Sequence, residues 1–163
     1  MTELPLSELI ITATQLNDSQ ADWHFHLLTP MCTLNAKPQY ALVLEDIGTS
    51  KNYVSYQAIK PFAASNQLAK MLHGSGMIDP TGHIKAAELA PDEKPIYNHA
   101  RLLTDQQRPW HHHMLFPNCA YNKHAPKWTL LFEDQSDTQV TSLVSDTEPT
   151  LLLTGLEQLF YRR

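Results

Sequence analysis

The chain is poor in the features that most readily assign a protein to a class. Among 163 residues it has two cysteines, Cys32 and Cys119, too few and too far apart for the disulfide framework of a small secreted scaffold. It has five glycines against eleven prolines, which predicts punctuated loops rather than long flexible linkers. There is no basic run, and 12 lysines and arginines against 17 acids leave a net charge of −5. Nucleic-acid binders need a cationic footprint to displace counterions, so DNA and RNA are excluded as expected partners. The opening stretch MTELPLSELIITATQLND carries acids early and only a short apolar run, matching neither a secretory leader nor a membrane span. A cytoplasmic protein with reduced thiols and no membrane partner is expected. Phosphate loop, nucleophile elbow, HExxH helix and dinucleotide fingerprint are all missing, so those catalytic classes have no support.

What is present describes an ordinary globular chain. Hydrophobic residues make up 42% and charged residues 18%, and a chain of this length buries about two-thirds of the surface it exposes when unfolded.

The most informative feature is a sentence that occurs twice. WHFHLLTPMCTLN at 23–35 returns as WHHHMLFPNCAYN at 110–122, with seven identities in thirteen positions. At the same offset Ala13, Leu16, Asp18 and Gln20 meet Ala100, Leu103, Asp105 and Gln107. After one inserted residue, YALVLED at 40–46 meets WTLLFED at 128–134. The chain therefore reads as an internal duplication, with repeats at about 6–73 and 93–162 and a connector at 74–92 whose DPTG stretch reads as a turn.

Both repeats give the order helix, strand, strand, strand, helix. Leu6, Leu9, Ile10, Ala13 and Leu16 fall at helical spacing, with Ser7 as a candidate cap, and Ile96, Ala100 and Leu103 repeat the stripe. The WHxH strands end at Pro30 and Pro117. Second strands carry Tyr40, Leu42 and Leu44, matched by Trp128, Leu130 and Phe132. Third strands are NYVSYQ and QVTSLVS. Proline-started helices follow at 61–73, with Phe62, Leu68, Met71 and Leu72, and at 150–162, with Leu152, Leu156, Leu159 and Phe160. Three strands with one apolar face are marginal alone. The expectation is one compact α+β domain over 1–163, a duplicated α-β-β-β-α unit whose antiparallel sheets merge around a pseudo-twofold axis with helices packed on the sheet.

Side chains two apart on a strand share a face, so His24 projects with His26 and His111 with His113. The residue between them differs, Phe25 in one copy and His112 in the other. Paired imidazoles with a thiol suit zinc or iron, which makes His24, His26, Cys32, His111, His113 and Cys119 the candidate ligands. In one extended strand Cys32 would lie about 20 Å from His26 at roughly 3.3 Å per residue. The chain must turn back at Pro30, or the two HxH strands must pair antiparallel across the axis. With Leu28 opposite Leu115, His24 would face Cys119 and His111 would face Cys32, giving two equivalent sites. With the axis nearer Phe25 and His112, the four histidines would form one central cluster.

Asn35 and Asn122 read as loop-fixing residues, and the pairs Glu45-Asp46 and Glu133-Asp134 as turn caps. Beside the histidines, Glu45 and Glu133 would orient an imidazole or act as the catalytic base toward a metal-bound water. His73, His83, His99, His112 and His124 have no counterpart in the other copy and read as surface or loop residues. Two functions remain open. One is a small metal-binding protein, extending to a metal-dependent hydrolase or oxidoreductase. The other is a non-enzymatic module, monomer or homodimer, that binds a small molecule or a protein while the motif serves as scaffold.

Overall fold

The computed structural model describes residues 1–73 and 86–162. The predicted DPTG turn and His83 lie outside the described residues. By its internal contacts the chain divides into two compact units, Met1–Asp79 and Pro80–Arg163. Its elements are α-helices and mainly antiparallel strands, an α+β fold.

The first unit runs β1 (Thr2–Glu3), α1 (Leu6–Asp18), β2 (Trp23–Leu28), β3 (Tyr40–Asp46), β4 (Lys51–Gln57) and α2 (Phe62–His73). Its sheet order is β1-β4-β3-β2, antiparallel except for the short β1–β4 pair. The alternation of β2 and β3 sorts their side chains. Trp23, Leu42 and Leu44 pack with Leu9 and Ala13 of α1 and Ala64 and Leu68 of α2. His24, His26, Val43 and Glu45 occupy the opposite face. Burying an apolar side chain of this size contributes about 1.5–3 kcal/mol, so the helix-backed face carries the unit's stability and fixes which way the histidines point.

The second unit has a 3-10 turn (Ala86–Glu88), α3 (Lys94–Asp105), β5 (Trp110–Leu115), β6 (Trp128–Asp134), β7 (Gln139–Ser145) and α4 (Thr150–Arg162). The sheet order is β5-β6-β7. Ile96, Ala100 and Leu103 of α3 and Leu152, Leu156 and Leu159 of α4 close over Trp110, Leu130, Phe132 and Leu143. The Trp110 indole N–H donates to Thr104 Oγ1 at 3.0 Å, satisfying its one polar group within this core. The described strands form one sheet of four strands and one of three. No described helix is long and apolar enough to cross a membrane.

Several local expectations change. Ser7 does not cap α1. Pro5 holds the cap position with φ −59° and ψ 151°, and its carbonyl accepts the first helical bond, from Leu9 N–H at 3.0 Å, so Ser7 lies inside the first turn. Phe62 is 57% exposed, because at 100° per residue it lies more than 100° around the helix from Ala64 and Leu68, which face the core. Leu89, placed by its sequence in the connector, is buried in the second core. The helices α1 and α3 end alike: Gln20 and Gln107 take left-handed φ of 57° and 55°. Ala21 N–H then reaches Leu16 O and Arg108 N–H reaches Leu103 O, each at 2.9 Å, which satisfies orphan carbonyls in the manner usual for a glycine-ended helix.

Candidate metal centre

Strand register builds the centre. In the first unit His24 lies directly opposite Glu45 and His26 opposite Val43. In the second, His111 lies opposite Glu133 and His113 opposite Leu131. Residues paired across a ladder share a face, so each sheet offers two imidazoles and one carboxylate side by side. All six residues are buried.

The geometry repeats closely. His24 Nε2 touches Glu45 Oε2, and His26 Nε2 stands 3.7 Å from the same oxygen. His111 Nε2 touches Glu133 Oε2, with His113 Nε2 at 3.7 Å from it. The paired rings meet edge to face, with centroids 4.8 Å apart and 77° between planes in the first unit, and 4.7 Å and 71° in the second. Within each trio the donor atoms lie within 4.8 Å of one another. In a tetrahedral site with bonds of about 2.0–2.1 Å, neighbouring donors stand about 3.3 Å apart. Small side-chain shifts bring either trio to that spacing.

The electrostatics favour the ligand forms. Burial alone would raise the Glu45 pKa, but the hydrogen bonds from His24 and His26 and their charges outweigh it and bring the carboxyl to about 2. Burial lowers the His26 pKa, against the opposing pull of the Glu45 hydrogen bond. An anionic carboxylate beside a neutral imidazole is the state a divalent ion requires.

Each cysteine sits in the loop after its HxH strand and is buried, and neither is in a disulfide. Cys32 N–H donates to Thr29 O at 3.0 Å, Asn35 N–H donates to Cys32 O at 3.0 Å, and Leu34 N–H donates to Cys32 Sγ at 3.4 Å. Around Cys119 the same two backbone bonds recur, from Cys119 N–H to Phe116 O and from Asn122 N–H to Cys119 O, both at 3.0 Å. Each cysteine is thus held between two backbone turn bonds. Histidine, glutamate and cysteine form two buried groups whose atoms could hold a metal ion. Imidazole nitrogen, carboxylate oxygen and thiolate sulfur all belong to the ligand chemistry of zinc and iron.

The remaining polar residues sort by strand parity. Asp46 and Asp134 point away from the histidines and cap turns. Asp46 accepts from Thr49 Oγ1 at 2.7 Å, and Asp134 from Ser136 Oγ at 2.6 Å. Two histidines read as surface or loop residues are neither. His112 lies on the helix-covered face of β5, where its Nε2 is 2.9 Å from Glu157 Oε1 of α4. His99 of α3 packs against Phe132 with centroids 5.2 Å apart and hydrogen-bonds Asp134 Oδ2 at 3.2 Å. A histidine without a counterpart in the other repeat carries no pattern in the sequence that shows its burial. His124 is exposed.

No family model, curated protein or solved structure gives a significant match to the chain.

Proposed function

We propose that the protein binds two divalent metal ions, zinc or iron, one at each histidine–glutamate trio. In this reading a cysteine thiolate, from Cys32 or Cys119, supplies the fourth donor at each trio. The observation that carries the reading is the recurrence of one arrangement in both units: two imidazoles two residues apart, a carboxylate opposite the first, and both Nε2 atoms directed at a single oxygen. A scaffold role requires each histidine to be satisfied, and it does not require two imidazoles to share one carboxylate oxygen twice. The call for a thiolate follows from four donors being the usual number in a closed structural site.

Closed sites of this kind make the ion a structural element, and a cytoplasm that keeps thiols reduced suits them. A second reading rests on the three donors that lie side by side on each sheet. If the cysteine stays off the metal, a position remains for water. Two histidines and a carboxylate are then the ligand set of hydrolytic zinc and of non-haem iron oxygenases, and the protein is a metal-dependent enzyme.

Elemental analysis of untagged protein, beside His24→Ala and His111→Ala, tests the reading. Close to two ions per chain, falling to about one in each variant, is expected. Absence of metal after reconstitution under reducing conditions overturns it. X-ray absorption then separates the two forms, since a sulfur scatterer at about 2.3 Å marks the closed site.

A further inference from the structure

Resting on that reading, we propose that Asn35 and Asn122 are positioning residues that set the two cysteine loops so that each thiolate is presented as a donor. The two asparagines occupy matching places, three residues after the cysteine, and both tie the start of the loop to its end. Asn35 Nδ2 donates to Thr29 O at 2.9 Å and to Gln39 O at 2.6 Å, and its Oδ1 accepts from Lys37 N–H at 3.1 Å. Asn122 Nδ2 donates to Phe116 O at 2.8 Å and to Lys127 O at 2.6 Å. Its Oδ1 accepts from His124 N–H at 3.0 Å and from Thr129 Oγ1 at 2.9 Å.

Each side-chain amide therefore fastens the carbonyl just past the HxH strand to the carbonyl just before the next strand. The cysteine lies between these points, held by the turn bonds at Thr29 and Phe116 already described. Thr29 O receives both the Asn35 amide and the Cys32 N–H, and Phe116 O receives both the Asn122 amide and the Cys119 N–H. One carbonyl thus couples the asparagine to the cysteine backbone in each loop. Leu34 N–H also donates to Cys32 Sγ, which fixes the sulfur within its loop. Only an amide meets the demand. Aspartate has the same shape but no N–H to donate, so it loses both carbonyl bonds and sets a negative charge beside two carbonyl oxygens. Glutamine would have to fold an extra methylene into a loop closed at 2.6 Å.

The test uses the full chain loaded with cobalt(II) under reducing conditions. It compares the parent with Asn35→Asp, Asn122→Asp, the double variant and Cys119→Ser. The readout is the near-ultraviolet thiolate-to-cobalt charge-transfer band per bound cobalt. A residue that merely stabilised the fold would leave this band unchanged in any variant that remains folded. Each single substitution is expected to remove about half of the band, as Cys119→Ser does, and the double most of it, while the visible bands of histidine-bound cobalt persist. Folded variants that keep the parent band overturn the proposal. If the aspartate variants do not fold, Thr129→Val decides. It removes one of the four Asn122 bonds and is expected to weaken the band, and an unchanged band again overturns the proposal. A parent that takes up no cobalt, or takes it up without a sulfur band, refutes the metal reading itself and this inference with it. That outcome differs from a parent band that survives in the variants.

Discussion

Replacing Asp134 tests whether the turn ending β6 is held by one carboxylate. Asp134 is fully buried. Its Oδ1 accepts from Ser136 Oγ at 2.6 Å, Ser136 N–H at 3.1 Å and Asp137 N–H at 3.3 Å, and its Oδ2 from His99 Nε2 at 3.2 Å and Arg108 at 3.4 Å. Hydrogen bonds to a charged group contribute roughly 1.5–3 kcal/mol each when buried, but Ser136 and Asp137 lie at the surface, where water replaces what is lost, and the half-exposed Arg108 contributes little. Asp134→Ala should cost about 2–4 kcal/mol. Asp134→Asn keeps the Oδ1 acceptor while turning an amide toward His99 and Arg108, and should cost about 1–2 kcal/mol. In the first unit Asp46 accepts from Thr49, through its N–H at 3.4 Å and its hydroxyl at 2.7 Å, so Asp46→Ala should cost about 1–2 kcal/mol. Urea unfolding gives the sizes, and hydrogen exchange over β6 and β7 localises the loss. Burial alone would raise the Asp134 pKa, yet the Ser136 hydroxyl, the Asp137 N–H, Arg108 and the Ser136 N–H together hold it below the ordinary value. With a depressed folded pKa, this stability is present above about pH 4 and is lost as pH falls through the folded value. The gap between parent and Asp134→Asn should therefore narrow in acid. An Asp134→Ala variant as stable as the parent, or less affected than Asp46→Ala, refutes the reasoning.

Other expectations follow from the same geometry. Gln20→Gly and Gln107→Gly each relieve a side chain held at positive φ and should raise stability by about 0.5–1 kcal/mol, additively, as melting temperatures of the singles and the double will show. Chelation should destabilise the protein: one site at a hundred times its Kd contributes about 2.7 kcal/mol, roughly 5–10 °C in Tm, and calorimetry with and without chelator reads it. Glu157→Ala leaves the buried His112 without its carboxylate and should cost about 1–2 kcal/mol. Adding His112→Phe, which places the phenylalanine found at position 25 of the other repeat, should recover most of that loss, and a double variant no more stable than Glu157→Ala counts against it.

The histidine pairs were legible because strand parity is local: two imidazoles two residues apart must share a face. The partner carboxylate was legible only as a possibility. The eleven residues between Leu28 and Tyr40 leave the hairpin register open, whereas a two-residue turn would have fixed it, so only the ladder shows Glu45 rather than Asp46 facing His24. The helices were legible as stripes, while their ends were not. Pro5 in place of Ser7 at the cap, and glutamine where glycine usually stands, are choices of backbone geometry that periodicity does not carry. The strand Thr2–Glu3, parallel to β4, is too short to leave any pattern, and His99 and His112 acquire their partners through contacts far apart in sequence.

The pairing of His24 with Glu45 across one ladder also bears on design. Three donors from two adjacent antiparallel strands need no more framework than a hairpin in register, with His-x-His on one strand and glutamate opposite the first histidine. The loop at 29–39 can be lengthened, cut or exchanged without moving them, because the ladder sets their spacing. A transplant of those two strands onto an unrelated antiparallel sheet should carry the trio intact, leaving the thiol as the one part that must be supplied separately.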